Sequence, residues 1–112
     1  MRRHIVAAAA LLAIAVPGTA LAERVTPIAD VQRGTQVTVA GTVERILDED
    51  EFRLTDQSGS IDVYVGPNWV PADTGETVTV RGFVDDGWIR EIYARELIRA
   101  DGSVVQFDRR YD

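Results

Sequence analysis

Apolar side chains recur at every second position through most of this chain, and this alternation constrains the fold more than any other feature. Successive side chains of a strand point to opposite faces, so a period of two predicts strands with one buried face. Five runs show the pattern, with inward positions at Val37, Val39 and Val43; Phe52 and Leu54; Ile61, Val63 and Val65; Val78, Val80 and Val84; and Ile92 and Ala94. Residues 23–112 contain 13 Val, 6 Ile and 8 Thr but only 3 Leu, which favours pleated sheets. The sequence predicts an all-β domain.

Two glycines occupy inward positions in the middle of the first and fourth strands, Gly41 and Gly82. A mid-strand glycine lets a long strand bend sharply and serve both ends of a small barrel. The segments around them, 34–43 and 75–84, share six of ten residues, which we interpret as similar constraints on two strands rather than as a true repeat. The expected architecture is a small five-stranded Greek-key barrel of the OB type.

The end of the domain carries two further signals. The alternation slips by one position at Leu97, which predicts a bulge in the fifth strand. Asp101 and Gly102 form a hairpin turn signal, after which residues 104–107 are expected to return as a short sixth strand.

A short helix is expected before the first strand. Thr26 is a suitable N-cap, Pro27 fits the first helical position, and Gly34 can end the helix in a left-handed conformation. Ile28 and Val31, three residues apart, would then face the barrel.

The first 22 residues have the pattern of an export signal. Arg2 and Arg3 precede an apolar run at residues 5–16, and small residues then form an A-x-A cleavage site that ends at Ala22. The run is too short for a spanning helix, which needs about 20 apolar residues. We therefore expect a cleaved signal peptide at 1–22, an OB domain at 23–107 and a polar tail at 108–112. The mature protein should be periplasmic and soluble, with no stable membrane insertion.

The mature chain lacks most of the side chains that commonly serve in catalysis and metal binding. There is no lysine or cysteine, and the single histidine, His4, lies in the signal segment. Serine catalysis would lack a base, thiolate and imidazole metal sites are excluded, and no cofactor is expected. Ten arginines against 18 acids leave a net charge of −8, which disfavours nucleic-acid binding. Single-stranded nucleic-acid binding and a carboxylate-based hydrolase remain as alternatives to a non-enzymatic binding protein.

Four outward residues on the second and third strands are the candidate ligand-binding set: Arg53, Thr55, Asp62 and Tyr64. They lie on the face that OB barrels commonly use for ligands. Arginine beside an aromatic ring can stack on planar groups or pair with a carboxylate. The alternative is that outward aromatics only cover neighbouring strands or pack against the first helix.

A second candidate is the acidic run Asp48, Glu49, Asp50 and Glu51, between the first two strands. It could attract Ca²⁺ or a cationic peptide. It lacks the alternating ligands and central glycine of an EF-hand loop, because Phe52 occupies a ligand position. The alternative is a solvated hairpin tip.

An ordered set of short segments resembles the bacterial OB-fold (BOF) family, small periplasmic proteins of the YgiW/YdeI stress-tolerance type. These segments are 41–46 (GTVERI), Asp48, Phe52, Leu54, Asp56, 58–63 (SGSIDV), Trp69, 79–85 (TVRGFVD), Trp88 and 91–92 (EI). The resemblance implies a signal peptide, a first helix, a five-stranded barrel and no established catalytic activity. It also implies a role in stress tolerance through binding a small ligand, a peptide or an envelope protein. The family has no agreed site motif, so it assigns no residue a role here.

Overall fold

The computed structural model describes residues 24–107. The predicted signal peptide and the predicted polar tail lie outside the described residues. Within the described range, none of the helical structure has the length and apolar character needed to cross a membrane.

The described chain contains one 3₁₀ turn, η1, followed by six strands. Their bounds are η1 Ile28–Asp30, β1 Gln36–Asp48, β2 Glu51–Thr55, β3 Ser60–Tyr64, β4 Thr77–Val84, β5 Glu91–Ile98 and β6 Val104–Gln106.

The expected first helix is wrong in extent, because the structure has only the single turn η1. Pro27 stands at its N-cap with no side-chain cap, and Val31 is already extended. Capping comes instead from the β2–β3 loop: Asp56 accepts from the Ile28 N–H at 3.0 Å, and Ser58 accepts from the Ala29 N–H at 2.9 Å. These tertiary bonds fix one turn, so the Thr26 cap and the longer helix do not form. Ile28 is nevertheless fully buried, as its position predicted.

The sheet closes into a barrel of five strands. Its order is β3-β2-β1-β4-β5-β6, and a parallel pairing of β3 with β5 joins the ends. All other pairings are antiparallel, and β6 adds to the far half of β5. This confirms the five-stranded OB-type barrel, the hairpin at Asp101-Gly102 and the sixth strand.

The predicted bulge in β5 is present, and its extra residue is Arg95. Along the β4–β5 ladder, Arg81 opposes Glu96 whereas the next residue, Gly82, opposes Ala94. Arg95 therefore has no partner on β4, and the inward position passes from Ala94 to Leu97.

The core consists of residues that the alternation placed inside, whereas Val37, which the alternation also placed inside, is only half-buried and packs against the core. The core residues with no exposed surface are Ile28, Val39, Val43, Phe52, Leu54, Val63, Val65, Val80, Val84, Ile92, Ala94 and Leu97. Phe52 is the largest of them, whereas Tyr64 lies on the outer surface, as predicted, and is half-buried.

The mid-strand glycines are sites of close backbone approach. A Cβ atom on Gly41 would lie 2.3 Å from the carbonyl oxygen of Thr55, and one on Gly82 would lie 2.3 Å from that of Tyr93. No real Cβ contact is this short, so both strands depend on glycine where the backbone of the paired neighbouring strand approaches closely.

The two similar segments are paired with each other. β1 and β4 run antiparallel, and Val39 opposes Val80 at the centre of the pairing. Equivalent positions of 34–43 and 75–84 are therefore related by a local two-fold axis through this valine pair.

The symmetry extends to the turns that start the two segments. The Gly34 N–H donates to the Val84 carbonyl at 2.9 Å, and the Gly75 N–H donates to the Val43 carbonyl at 2.8 Å. Both glycines have positive φ, at 74° and 90°, which few other residues adopt. Each segment thus begins with a glycine turn that binds the end of the other.

Candidate ligand-binding face

The outer side of β2, β3 and β5 carries the predicted ligand-binding residues. β3 lies between the other two strands, so Asp62 opposes both Arg53 and Glu91, and Tyr64 opposes both Glu51 and Tyr93. We call this surface the acidic–tyrosine face, and it consists of Glu51, Arg53, Asp62, Tyr64, Asp85, Glu91 and Tyr93.

Arg53 and Asp62 form an ion pair within this face. The Arg53 Nε donates to Asp62 Oδ1 at 2.9 Å, and the two side chains are 37% and 29% exposed. The hydrogen bond to Asp62 and its charge raise the pKa of Arg53. An ion pair this exposed adds little to stability. Its main effect is to hold the Asp62 carboxylate in one place.

Thr55 lies at the far end of β2 and has local partners. Its hydroxyl donates to the Gly59 carbonyl at 3.2 Å and accepts from the Ser60 hydroxyl at 3.1 Å. These bonds close the β2–β3 turn. Thr55 therefore stabilises the turn, whereas the other three predicted residues lie together on the acidic–tyrosine face.

Tyr64 and Tyr93 form an aromatic pair across β3 and β5. Their ring centroids are 6.1 Å apart and the rings are inclined by 78°, an edge-to-face arrangement. The Tyr93 hydroxyl donates to Asp85 Oδ1 at 2.8 Å, which draws the β4–β5 loop onto the face.

Four carboxyl groups crowd the same surface, with Glu91 at the centre. Burial, a hydrogen bond with Glu51 and the charges of Glu51, Asp62 and Asp85 raise the pKa of Glu91 to about 8. At neutral pH the Glu91 carboxyl group is therefore mostly protonated, and it is hydrogen-bonded to Glu51. The acidic–tyrosine face carries excess negative charge, and protonation of Glu91 removes only part of that charge.

Sequence reasoning missed Glu91 and Asp85. Asp85 has the pattern of a turn residue, and Glu91 looks like an ordinary strand start. Their proximity to Glu51 and Asp62 depends on the parallel β3–β5 register, which pairs residues far apart in the chain. Local alternation carries no information about that register.

The four residues of the acidic run between β1 and β2 have different contacts in the structure. Glu51 lies in β2 and turns to Glu91, whereas the carbonyls of Glu49 and Asp50 accept from the backbone N–H groups of Val70 and Val65 at 3.0 and 2.8 Å. Asp48 accepts from the Glu49 N–H at 2.8 Å. In the range 24–107, no three acidic side chains converge as metal ligands. The turn instead anchors the β3–β4 connection through its backbone.

Comparison with known proteins gives two structural matches. No protein-family model matches the chain, and no curated protein matches it. The structure of the hypothetical protein YgiW from E. coli is 25% identical, has a TM-score of 0.58 and covers 70% of this chain and 91% of that one. The telomere capping protein Ten1 from Saccharomyces pombe is 20% identical, with a TM-score of 0.46 over 70% and 72% of the two chains. The chain is thus similar to YgiW in fold, and its five-stranded barrel is consistent with a YgiW-type protein of the bacterial OB-fold family.

Proposed function

We propose that this protein is an exported, non-enzymatic binding protein whose acidic–tyrosine face takes an organic cation. The cation would be an ammonium or guanidinium group of a small molecule, a peptide or an envelope protein. The resemblance to the BOF family supports a periplasmic role in envelope or oxidative stress tolerance. The observation that carries the proposal is the crowding of four carboxyl groups, those of Glu51, Asp62, Asp85 and Glu91, beside two paired tyrosines.

A cationic group would satisfy this surface better than a proton does. Its N–H groups can donate to carboxylates, and charge-assisted hydrogen bonds are stronger than neutral ones. The tyrosine rings can add cation–π attraction, which contributes about 0.5–2 kcal/mol. Binding of a cation beside Glu91 would lower its pKa and release its proton. Affinity should therefore increase as the pH rises toward 8.

The two alternative functions fit this surface less well. Nucleic-acid binding requires a basic face, but the side that OB barrels use for ligands carries four carboxyl groups here. Glycosidases hold two carboxyl groups roughly 5 Å or more apart to admit substrate or water. Glu51 and Glu91 are instead hydrogen-bonded to each other. A binding role is the better account.

The proposal is tested with spermidine and an arginine-rich hexapeptide as probes, using isothermal titration calorimetry at pH 7. Glu51→Gln should weaken binding by roughly tenfold, because it removes a charged acceptor from the face. Tyr64→Leu should weaken it by several-fold through loss of the ring. Glu49→Gln is the matched control, since it removes the same charge from the exposed turn. Equal loss in Glu49→Gln and Glu51→Gln would show non-specific attraction and contradict the proposal.

Export is tested separately by the N-terminus of the native protein. We expect the protein recovered from its host to start at or near Glu23, because the apolar run ends in an A-x-A site. Intact mass and N-terminal sequencing of the periplasmic fraction measure this. Recovery of Met1 on a membrane-bound species would contradict the periplasmic assignment.

A further inference from the structure

A groove of about 630 Å³ lies on the outer surface of β1, β4 and β5, where the first described residues and β6 border it. It shares no residue with the acidic–tyrosine face. Its polar lining includes three arginines but only one acid: Arg24, Arg81, Arg95 and Glu96. In a chain with a net charge of −6, this local excess of positive charge is the reverse of the overall balance.

The floor of the groove is a row of side chains that crosses four strands. Thr38 opposes Arg81, Arg81 opposes Glu96, and Glu96 opposes Gln106. Arg81 donates to one oxygen of Glu96, and Gln106 Nε2 donates to the other at 2.8 Å. The single acid is thus neutralised and fixed within the floor, where its side chain is 16% exposed.

The other two arginines reach the groove by different means. Arg95 is the bulged residue of β5, and bulges commonly re-aim a side chain beside a binding site. Arg24 is brought to the groove by the adjacent segment, since the Thr26 N–H donates to the Thr38 carbonyl at 2.8 Å. Neither arginine forms a salt bridge with an acid within residues 24–107.

We infer that this groove binds a small organic oxyanion, a carboxylate or a phosphate ester. Guanidinium groups pair with both in a bidentate geometry. The volume lies in the range of small-molecule sites, which is roughly 300–1,000 Å³. Val37 and Phe107 provide an apolar wall for the carbon part of such a ligand, and Gln36 supplies a further hydrogen-bonding group.

The test uses protein expressed as the 112-residue precursor and purified after export. Inorganic phosphate and succinate are titrated separately, and backbone amide shifts are followed by ¹H–¹⁵N NMR. We expect saturable shifts at Thr38, Glu96 and Gln106 with at least one probe, and the stronger probe identifies the ligand class. Arg95→Gln should weaken binding roughly tenfold, the effect of losing a charge-assisted contact.

Arg45→Gln is the matched control, because it removes the same charge from an exposed position of β1 outside the groove. It should change the dissociation constant by less than about twofold, since surface charges act weakly at a distance in salt. Arg24→Gln supplies a second groove variant if Arg95→Gln does not fold. The inference is overturned if neither probe gives saturable shifts in the groove, or if Arg45→Gln weakens binding as much as the groove variants.

Discussion

Replacing Gly82 or Gly41 with alanine should destabilise the barrel by about 3 kcal/mol or more, since an added Cβ would lie 2.3 Å from a backbone oxygen. That oxygen belongs to a paired strand and cannot move as a flexible side chain can. At Gly82 the Cβ would also lie 2.8 Å from Ile92 Cγ2. Urea unfolding followed by tryptophan fluorescence or circular dichroism measures the loss.

Gly59→Ala is the control for this prediction. A Cβ there would meet Ile28 Cγ2 at 3.9 Å, an ordinary contact, and the residue does not have positive φ. Its free energy of unfolding should change by less than about 1 kcal/mol. Near-neutral effects at both Gly41 and Gly82 would mean that the strands separate there at low cost, contrary to the close backbone approach described above.

The second large effect is a dependence of stability on pH that originates at Glu91. Its pKa is raised from 4.5 to about 8 in the folded protein. The folded state then binds more protons than the unfolded state between these values, so the free energy of unfolding falls as pH rises from 4.5 through about 8. Below about pH 4.5 the free energy of unfolding has the opposite dependence and decreases as the pH falls. Arg99 and backbone N–H groups lower the pKa of Glu76 to about 2, and that contribution is lost as pH falls from 4.5 toward 2.

Thermal unfolding of the wild type and of Glu91→Gln at pH 5, 7 and 9 checks this origin. The variant cannot ionise at this position, so its melting temperature should fall less between pH 5 and pH 9 than that of the wild type. Glu49→Gln, in the exposed β1–β2 turn, should keep the wild-type slope. A wild-type slope in Glu91→Gln would show that other groups set the pH dependence.

Most of the fold could be predicted from the alternation of apolar side chains along the strands. It placed Phe52 and Leu54 inside, marked the bulge before Leu97 and identified Gly41 and Gly82 as special positions. It failed at the first helix, where capping by Asp56 and Ser58 is a tertiary effect that no local pattern encodes.

The candidate site was predictable only where its residues share a hairpin. Arg53 and Asp62 are opposite each other on β2 and β3, so strand parity alone brings them together. Glu91 and Tyr93 reach the face through parallel pairing across the barrel seam. The groove lined by Arg24, Arg81 and Arg95 likewise depends on the register of four strands. The bulge in β5 could be located from the sequence, but the groove beside Arg95 could not.

The two-fold pairing of β1 with β4 has a consequence for how fast the barrel can form. Val39 and Val80 are 41 residues apart, so their meeting closes a long loop before it gains contacts. The β1–β2, β2–β3, β4–β5 and β5–β6 pairings join neighbours in sequence, whereas β1–β4 and β3–β5 do not, and closure of the barrel requires both. All-β barrels, which depend on such non-local pairings, fold in roughly milliseconds to seconds. Until β4 arrives, the apolar edge of β1 is open to other chains, and the interval before closure is when this protein is most exposed to aggregation.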